Sequence, residues 1–104
     1  MATPKKGSES ELKADYRKWL REQGAYVFSP VQMGMGKTTV DDLVCWRGLF
    51  LAIEAKKPGT KNKPTPNQKT TLQEVSAAGG ATLVAYSLED VKARLRAMHQ
   101  YTAP

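Results

Sequence analysis

Apolar residues recur at helical spacing in three segments of the chain, and this spacing predicts three helices. The first helix is expected to end near Gln23, where Gly24 stops it, and the second near Gly79. Each helix begins after a residue that caps helices well, namely Ser8 or Ser10, Thr65 and Ser87. The inward stripes of the first and last helices comprise Leu12, Tyr16, Trp19 and Leu20, and Leu88, Val91, Leu95 and Met98.

Four shorter segments have the character of strands. Residues 25–29 form the first and residues 82–86 the last, while the central two form a hairpin around Arg47-Gly48. The resulting order, α-β-β-β-α-β-α, predicts an α/β fold in which helices flank a mixed sheet. We expect one folded domain between two short tails, at residues 8–99, 1–7 and 100–104 respectively.

Composition narrows the range of functions. A chain of 104 residues has room for one domain with a modest core. Lysine and arginine outnumber aspartate and glutamate by 16 to 10, and the net charge of +6 favours a polyanionic partner. The single cysteine, Cys45, excludes an internal disulfide and a cysteine-based zinc site, and its apolar surroundings predict a small core residue.

The apolar runs are short. The longest, over residues 49–53, cannot span a membrane, and residues 1–7 lack the apolar stretch of a secretion signal. We therefore expect a cytoplasmic protein without a membrane partner.

Three charged residues interrupt the apolar hairpin: Asp42 in its first strand, and Glu54 and Lys56 in its second. Residues two apart on a strand share a face, so Glu54 and Lys56 point the same way. A carboxylate from the neighbouring strand beside them would hold a hard divalent cation next to an ammonium group, which suits cleavage of a phosphodiester. A solvated face is the commoner interpretation of an isolated Glu-x-Lys, and Asp41-Asp42 alone would also suit a turn or an edge strand.

The length of the hairpin loop decides whether Asp42 reaches Glu54. A loop of two residues, Arg47-Gly48, turns Asp42 away from Glu54. A loop of three residues, with Trp46 added, places Asp42 diagonal to Glu54 at roughly 7–8 Å. Loops of three residues favour glycine at their left-handed position, where Gly48 stands. We predict the three-residue loop, because it brings the two carboxylates together.

Residues 40–68 comprise the hairpin, the loop that follows it and the start of the next helix, and they resemble the VRR-NUC branch of the PD-(D/E)XK nucleases. The resemblance is to members that consist of the nuclease domain alone. The matching runs are Asp42-Leu43, Glu54-Ala55-Lys56-Lys57-Pro58 and Thr65-Pro66-Asn67-Gln68. Asp41 stands where the family has a proline, which leaves open that Asp41 shares or takes over the ligand role. The resemblance spans nearly the whole chain, from Glu9 to Val91, and implies a restriction-endonuclease-like PD-(D/E)XK core.

The resemblance also implies the chemistry of the site. Asp42, Glu54 and the backbone carbonyl of Ala55 would hold Mg²⁺ or Mn²⁺. Lys56 would orient the attacking water or stabilise the charge of the transition state. Gln68 would hold that water or a phosphate oxygen, although Thr65-Pro66-Asn67-Gln68 is equally a capping box, in which Gln68 reaches back to the helix start.

Glu9 is a further candidate on the first helix. It lies three residues before Leu12 and seven before Tyr16, so it continues the inward stripe of that helix. An acid at this position also complements the helix dipole, which explains Glu11 equally well. The resemblance places an acidic residue at Glu9, where it would reach the metal or its water, with Glu11 as the alternative.

Four lysines line the loop beyond the hairpin and the start of the next helix, at Lys57, Lys61, Lys63 and Lys69. A charge run is commonly a solvated face, but at this place we expect contacts to DNA phosphates, which give affinity without reading bases. Residues 34–39 imitate a nucleotide-binding loop, yet the glycine required five residues before Gly36 is Val31. We therefore expect no nucleoside triphosphate, and a phosphate contact from Lys37.

The predicted function is a metal-dependent, structure-selective DNA endonuclease in the cytosol of a bacterium or of a phage-infected host. Resolution of a four-way (Holliday) junction requires two cuts, which a homodimer supplies most simply. Trp46, Met98 and Tyr101 provide apolar side chains for such an interface. The alternatives are a flap or nonspecific nicking nuclease, and a catalytically inactive DNA-binding accessory module.

Overall fold

The computed structural model describes residues 7–31 and 39–100. Its seven elements follow the predicted order and are α1 (Glu9–Glu22), β1 (Tyr26–Phe28), β2 (Asp42–Trp46), β3 (Leu49–Ala55), α2 (Pro66–Ala77), β4 (Ala81–Ala85) and α3 (Leu88–His99). None of the helices in the described ranges is long and apolar enough to cross a membrane.

Side-chain caps set the beginnings of the three helices. The hydroxyl of Ser8 accepts a hydrogen bond from the backbone N–H three residues later, and the hydroxyls of Thr65 and Ser87 do the same. Ser8, rather than Ser10, is thus the first cap. At the other end of α1 the chain turns through Gly24, which has a φ of +85°. These local contacts explain why the helix boundaries were predictable.

The four strands form one mixed sheet in the order β1-β2-β3-β4. The first three strands are antiparallel to one another, and β4 is parallel to β3. The apolar faces of α1 and α3 pack on one side of this sheet and enclose the core, which includes Tyr16, Leu20, Val44 and Ile53. Helix α2 packs against β3 and β4 on the opposite side.

The hairpin between β2 and β3 has a two-residue turn, so the predicted three-residue loop is wrong. Asp42 pairs with Ile53, and Trp46 pairs with Leu49. Both turn residues have positive φ, +51° at Arg47 and +80° at Gly48, as in the type I′ turns that suit the twist of a hairpin. This register moves every β2 side chain to the face opposite the predicted one.

The change of register also corrects three predictions about single residues. Cys45 is exposed and is not a core residue. Trp46 is buried instead, and its indole N–H donates to the carbonyl of Gln23 at 3.1 Å. Met98 is buried in the same core. Trp46 and Met98 therefore serve the core of a single chain and are not available for an interface, while Tyr101 lies outside the described residues.

Candidate active site

Asp41 and Glu54 form a pair of carboxyl groups that we call the acidic pair. The register places Asp41, one residue before β2, directly opposite Glu54 near the end of β3. Oδ2 of Asp41 accepts a hydrogen bond from the Ala55 N–H at 2.8 Å, and its Oδ1 lies 2.9 Å from Nζ of Lys13. A hydrogen bond joins the two carboxyl groups. Glu54 is 2% exposed, and its Oε2 is buried with no hydrogen-bond partner in the part of the chain that the structure describes.

The acidic pair holds a proton near neutral pH. Burial, the hydrogen bond to Asp41 and the charge of Asp41 raise the pKa of Glu54 to about 8, against the opposing effect of Lys56 and Lys13. Burial acts to raise the pKa of Asp41 as well, but hydrogen bonds from Glu54, Lys13 and the Ala55 N–H bring it below its ordinary value. The pKa values of the two carboxyl groups are therefore shifted in opposite directions, and a divalent cation would bind best to the pair in its ionised form.

The donor set of the acidic pair fits a hard divalent cation. The described residues contain no cluster of three or more histidine, cysteine or acidic side chains. Mg²⁺ commonly takes only one or two carboxylates and fills its other positions with water and substrate phosphate, so two carboxylates suffice. The buried Oε2 of Glu54, which has no hydrogen-bond partner within residues 7–31 and 39–100, is an oxygen that such a cation would satisfy.

Lys56 and Gln68 lie together beside the acidic pair. Nζ of Lys56 donates to Oε1 of Gln68 at 3.1 Å, and Lys56 is close enough to Glu54 to lower its pKa. The same oxygen of Gln68 accepts from the Thr65 N–H at 2.9 Å, and a complete capping box is present. Gln68 thus caps α2 and holds Lys56 at the same time, so the two interpretations of Gln68 are compatible.

Asp42 lies on the other face of the sheet, so the prediction that it stands beside Glu54 is wrong. Asp42 is fully buried. It accepts hydrogen bonds from the hydroxyls of Tyr16 and Ser29, and its Oδ1 lies 2.9 Å from Nε of Arg17. Burial, followed by the charge of Asp42, raises the pKa of Tyr16 far above its ordinary value, so this hydroxyl remains a donor. The Asp42 carboxylate is satisfied by protein groups and belongs to the fold.

Helix α1 approaches the acidic pair through Lys13. Glu9 is half-buried and lies four residues before Lys13, which places the two on the same side of the helix, one turn apart. Glu11 instead belongs to the helix start, where its carboxylate accepts from the Gly7 N–H at 3.0 Å and its own N–H donates to Ser8. This geometry favours Glu9 over Glu11 as the helix acid near the site, and its contact with a metal stays a prediction.

The predicted phosphate-binding lysines are all exposed where the structure describes them, at Lys57, Lys61, Lys63 and Lys69. The loop that carries the first three begins immediately after Lys56, and the Tyr86 hydroxyl donates to the carbonyl of Asn62 within it. The loop therefore leaves the acidic pair with its amino groups free to meet solvent or a phosphate. Lys37 lies outside the described residues.

Several contributors to the site and its surroundings were not found from the sequence. One is the ion pair of Lys13 with Asp41. The others are the hydrogen bonds that Tyr16, Ser29 and Arg17 donate to Asp42. The spacing of Lys13 and Arg17 could have indicated these two ion pairs. Residues four apart on a helix lie on the same side of it, and the two acids are adjacent, at Asp41 and Asp42.

Without divalent metal ions, stability is expected to fall as pH rises from about 5 to 8. The pKa of Glu54 is higher in the folded chain, at about 8, than its ordinary value of 4.5. Its contribution to stability is therefore complete below pH 4.5 and is lost as pH rises through 8, with a slope of at most about 1.4 kcal/mol per pH unit. Asp41 has the opposite shift and destabilises the fold only under strong acid.

Thermal unfolding in EDTA across this pH range would measure that slope. In Glu54→Gln the slope should largely disappear, because glutamine does not titrate. An unchanged slope in that variant would show that another group is responsible.

Comparison with solved structures shows which known fold surrounds this site. A solved structure described as a VRR_NUC domain superposes with a TM-score of 0.67, covering 91% of this chain and 97% of that chain at 20% sequence identity. Comparisons with family models and with curated proteins give no match. The mixed four-stranded sheet flanked by helices agrees with the predicted restriction-endonuclease-like architecture. The chain thus has the fold of a VRR-NUC domain.

Proposed function

We propose that the protein is a metal-dependent DNA endonuclease whose active centre is the acidic pair. The observation that carries this proposal is the buried Glu54 opposite the half-buried Asp41, with an oxygen of Glu54 that has no hydrogen-bond partner among the described residues and with lysines on two sides. The likeness in fold to a domain described as VRR_NUC supports it. The net charge of +6 supports a polyanionic substrate.

Each residue near the acidic pair has a role in this proposal. Asp41, Glu54 and the carbonyl of Ala55 would hold Mg²⁺ or Mn²⁺. The bound cation supplies a Lewis acid that acidifies water and neutralises charge on the scissile phosphate. Lys56, held by Gln68, orients the attacking water or donates to a phosphate oxygen as negative charge develops there.

Two further groups act at the edges of the site. Lys13 neutralises Asp41, and Glu9, one helical turn from Lys13 on α1, would reach the water shell of a bound cation. The lysines of the loop at residues 57–63, with Lys69, bind phosphates of the DNA backbone without reading bases.

Cleavage of plasmid DNA tests the assignment. The protein should nick a supercoiled plasmid with Mg²⁺ or Mn²⁺ and should do nothing in EDTA. Glu54→Gln should lose cleavage while its affinity for DNA changes little, because the lysines outside the pair supply most of the phosphate contacts. Glu89→Gln, which alters an exposed acid on α3, is the matched control and should cut normally. Equal cleavage by Glu54→Gln with Mn²⁺ would refute the proposal.

We further propose that the enzyme acts on branched DNA as a homodimer, with four-way junctions as the leading substrate. One acidic pair per chain cuts one strand, and a junction is resolved by two symmetric cuts. Flap cleavage and nonspecific nicking are the competing activities. Retention of Glu54, Lys56 and Gln68 in one cluster argues against an inactive accessory module.

A panel of substrates decides between these activities. Cleavage of a four-way junction, a flap, a splayed arm and a linear duplex should be compared at equal protein concentration, with the mass in solution measured by sedimentation. Paired symmetric nicks in the junction, made by a dimer, are expected. A monomer that cuts linear duplex as fast as the junction would contradict this part of the proposal.

A further inference from the structure

The sheet face that carries the acidic pair is only partly covered by helix α2. On its uncovered part, and at the border with α2, lie three aromatic side chains that we call the aromatic face, with Tyr26 70% exposed, Phe28 44% exposed and Phe50, beside α2, 42% exposed. Exposed Cys45 lies between Tyr26 and Phe50, because it pairs with both. A cluster of large exposed apolar side chains on one face is the mark of an interaction surface.

The strand register orders the aromatic face relative to the acidic pair. Tyr26, Cys45 and Phe50 form one cross-strand row, and Phe28 with Leu43 lies in the next row. The acidic pair is in the row after that. Successive rows on one face are about 6.6 Å apart, which is roughly twice the 3.4 Å rise per nucleotide of a stacked strand. A nucleotide chain that crosses the first two rows would therefore have its bases separated from one another, with an aromatic ring within reach in each of these rows, and would next reach the acidic pair.

Basic side chains of α1, which packs on the other side of the sheet, reach toward this face at two places. Lys13, Arg17 and Arg21 succeed one another at intervals of four residues on α1, about 6 Å per step. Lys13 and Arg17 reach the two acids at the start of β2, and Arg21 reaches the carbonyl of Val27 on the edge strand β1. Arg17 is held by the buried Asp42 on the other face, so the cations nearest to a strand on the aromatic face are the exposed Arg21 beside β1 and Lys13 beside the acidic pair.

We propose that Tyr26, Phe28 and Phe50 form a stacking platform for two or three unpaired nucleotides next to the bond that is cut. The proposal rests on the nuclease assignment and deepens it by naming the substrate class, which is nucleic acid that is single-stranded at the site. Stacking on exposed aromatic rings of a sheet, beside a basic groove, is a common mode of binding single strands. A second copy of the chain is the rival occupant. Nucleotides fit better, because the aromatic rows lead to the acidic pair and have the exposed Arg21 at their edge.

Binding measured without cleavage tests the platform independently of catalysis. In a Glu54→Gln background and in EDTA, fluorescence anisotropy should show tighter binding of an oligothymidylate of about 12 nucleotides than of a duplex of the same length. An oligouridylate of that length distinguishes DNA from RNA. Tyr26→Leu and Phe28→Leu should each weaken single-strand binding at least about fivefold, whereas Tyr26→Phe and Phe28→Tyr should bind normally. Leucine keeps the apolar area but removes the ring, so the contrast is specific to stacking.

Photocrosslinking provides a measurement that needs no variant on the platform. Oligothymidylate that contains 5-bromouracil should crosslink to the peptide that carries Tyr26 and Phe28, or to Phe50. Crosslinks found only elsewhere, together with leucine variants that bind normally, would overturn the proposal. It would also fail if Tyr26→Leu dissociated a dimer in sedimentation without changing single-strand binding, because the face would then be an interface between two copies.

The outcomes for platform and nuclease can be separated. A protein that binds and crosslinks as expected but does not cut with metal present would refute the nuclease assignment alone. A protein that cuts DNA, but whose leucine variants bind single strands normally, would refute the platform alone.

Discussion

Replacing Asp41 with asparagine is expected to lower kcat/KM for DNA cleavage by a factor on the order of 10³ or more. That factor corresponds to about 4 kcal/mol of transition-state stabilisation. Asp41 is the carboxylate that shares a hydrogen bond with Glu54, and its two oxygens face Lys13 and the Ala55 N–H. Asparagine keeps the shape of the side chain but removes the negative charge that the cation requires. Titration with Mn²⁺ by calorimetry should show the binding lost together with the activity.

The chain itself supplies the matched control for this experiment. Asp42→Asn makes the same chemical change one residue along, on the opposite face of the sheet. Its cleavage per folded molecule should stay within about tenfold of the unaltered protein, and Mn²⁺ should still bind. If Asp42→Asn lost the metal and Asp41→Asn kept it, the assignment of the acidic pair would be wrong.

The helices and the order of elements were predictable because each depends on contacts within a few residues of sequence. Ser8, Thr65 and Ser87 cap helices through N–H groups only three residues away. The apolar stripes of α1 and α3 are visible at helical spacing, and the residues on them are buried or packed against the core. Local chemistry and global packing agree in these segments, so the sequence alone indicates the fold class.

The register of the hairpin was not predictable in the same way. Both alternating sets of β2 residues contain apolar side chains, Leu43 and Cys45 in one set and Val44 and Trp46 in the other. Hydrophobic alternation therefore does not choose the face that is buried. The turn also has Arg47 in the left-handed region, which is unusual for a residue with a side chain and is not apparent from its type. The two-residue turn results from packing Val44 and Trp46 into the core.

The roles of Asp41 and Asp42 could not be assigned from the sequence either, because they depend on the register of β2. The partners of Asp42 lie between 13 and 26 residues away in sequence, on α1 and after β1. No local pattern identifies such partners. The family resemblance supplied the type of chemistry, and Glu54, Lys56 and Gln68 lie together as it implies. The resemblance assigned the metal-ligand role to Asp42 and left open that Asp41 shares or takes over that role. Only the register of the hairpin shows which of the two carboxylates lies beside Glu54.

Replacing Asp42 with alanine is expected to destabilise the fold by about 3–5 kcal/mol. The carboxylate is fully buried and accepts from Tyr16, Ser29 and Arg17. Its removal leaves two hydroxyls and a guanidinium without their acceptor, and none of them is easily rehydrated in place. For a chain of this size the loss corresponds to a fall in melting temperature of at least about 12 °C. Denaturant unfolding monitored by circular dichroism would measure it.

Smaller replacements keep this prediction testable if Asp42→Ala does not fold. Tyr16→Phe removes one donor and leaves the charge pair with Arg17 intact, so its cost should be only about 1–3 kcal/mol. Combined with Asp42→Asn in a double-mutant cycle, it should show coupling of at least about 0.5 kcal/mol, because both changes affect one hydrogen bond. Additive effects, or an Asp42→Ala protein as stable as the unaltered chain, would show that Asp42 does not hold α1 to the sheet. The buried charge would then need another explanation, and the acidic pair on the other face would be unaffected by that result.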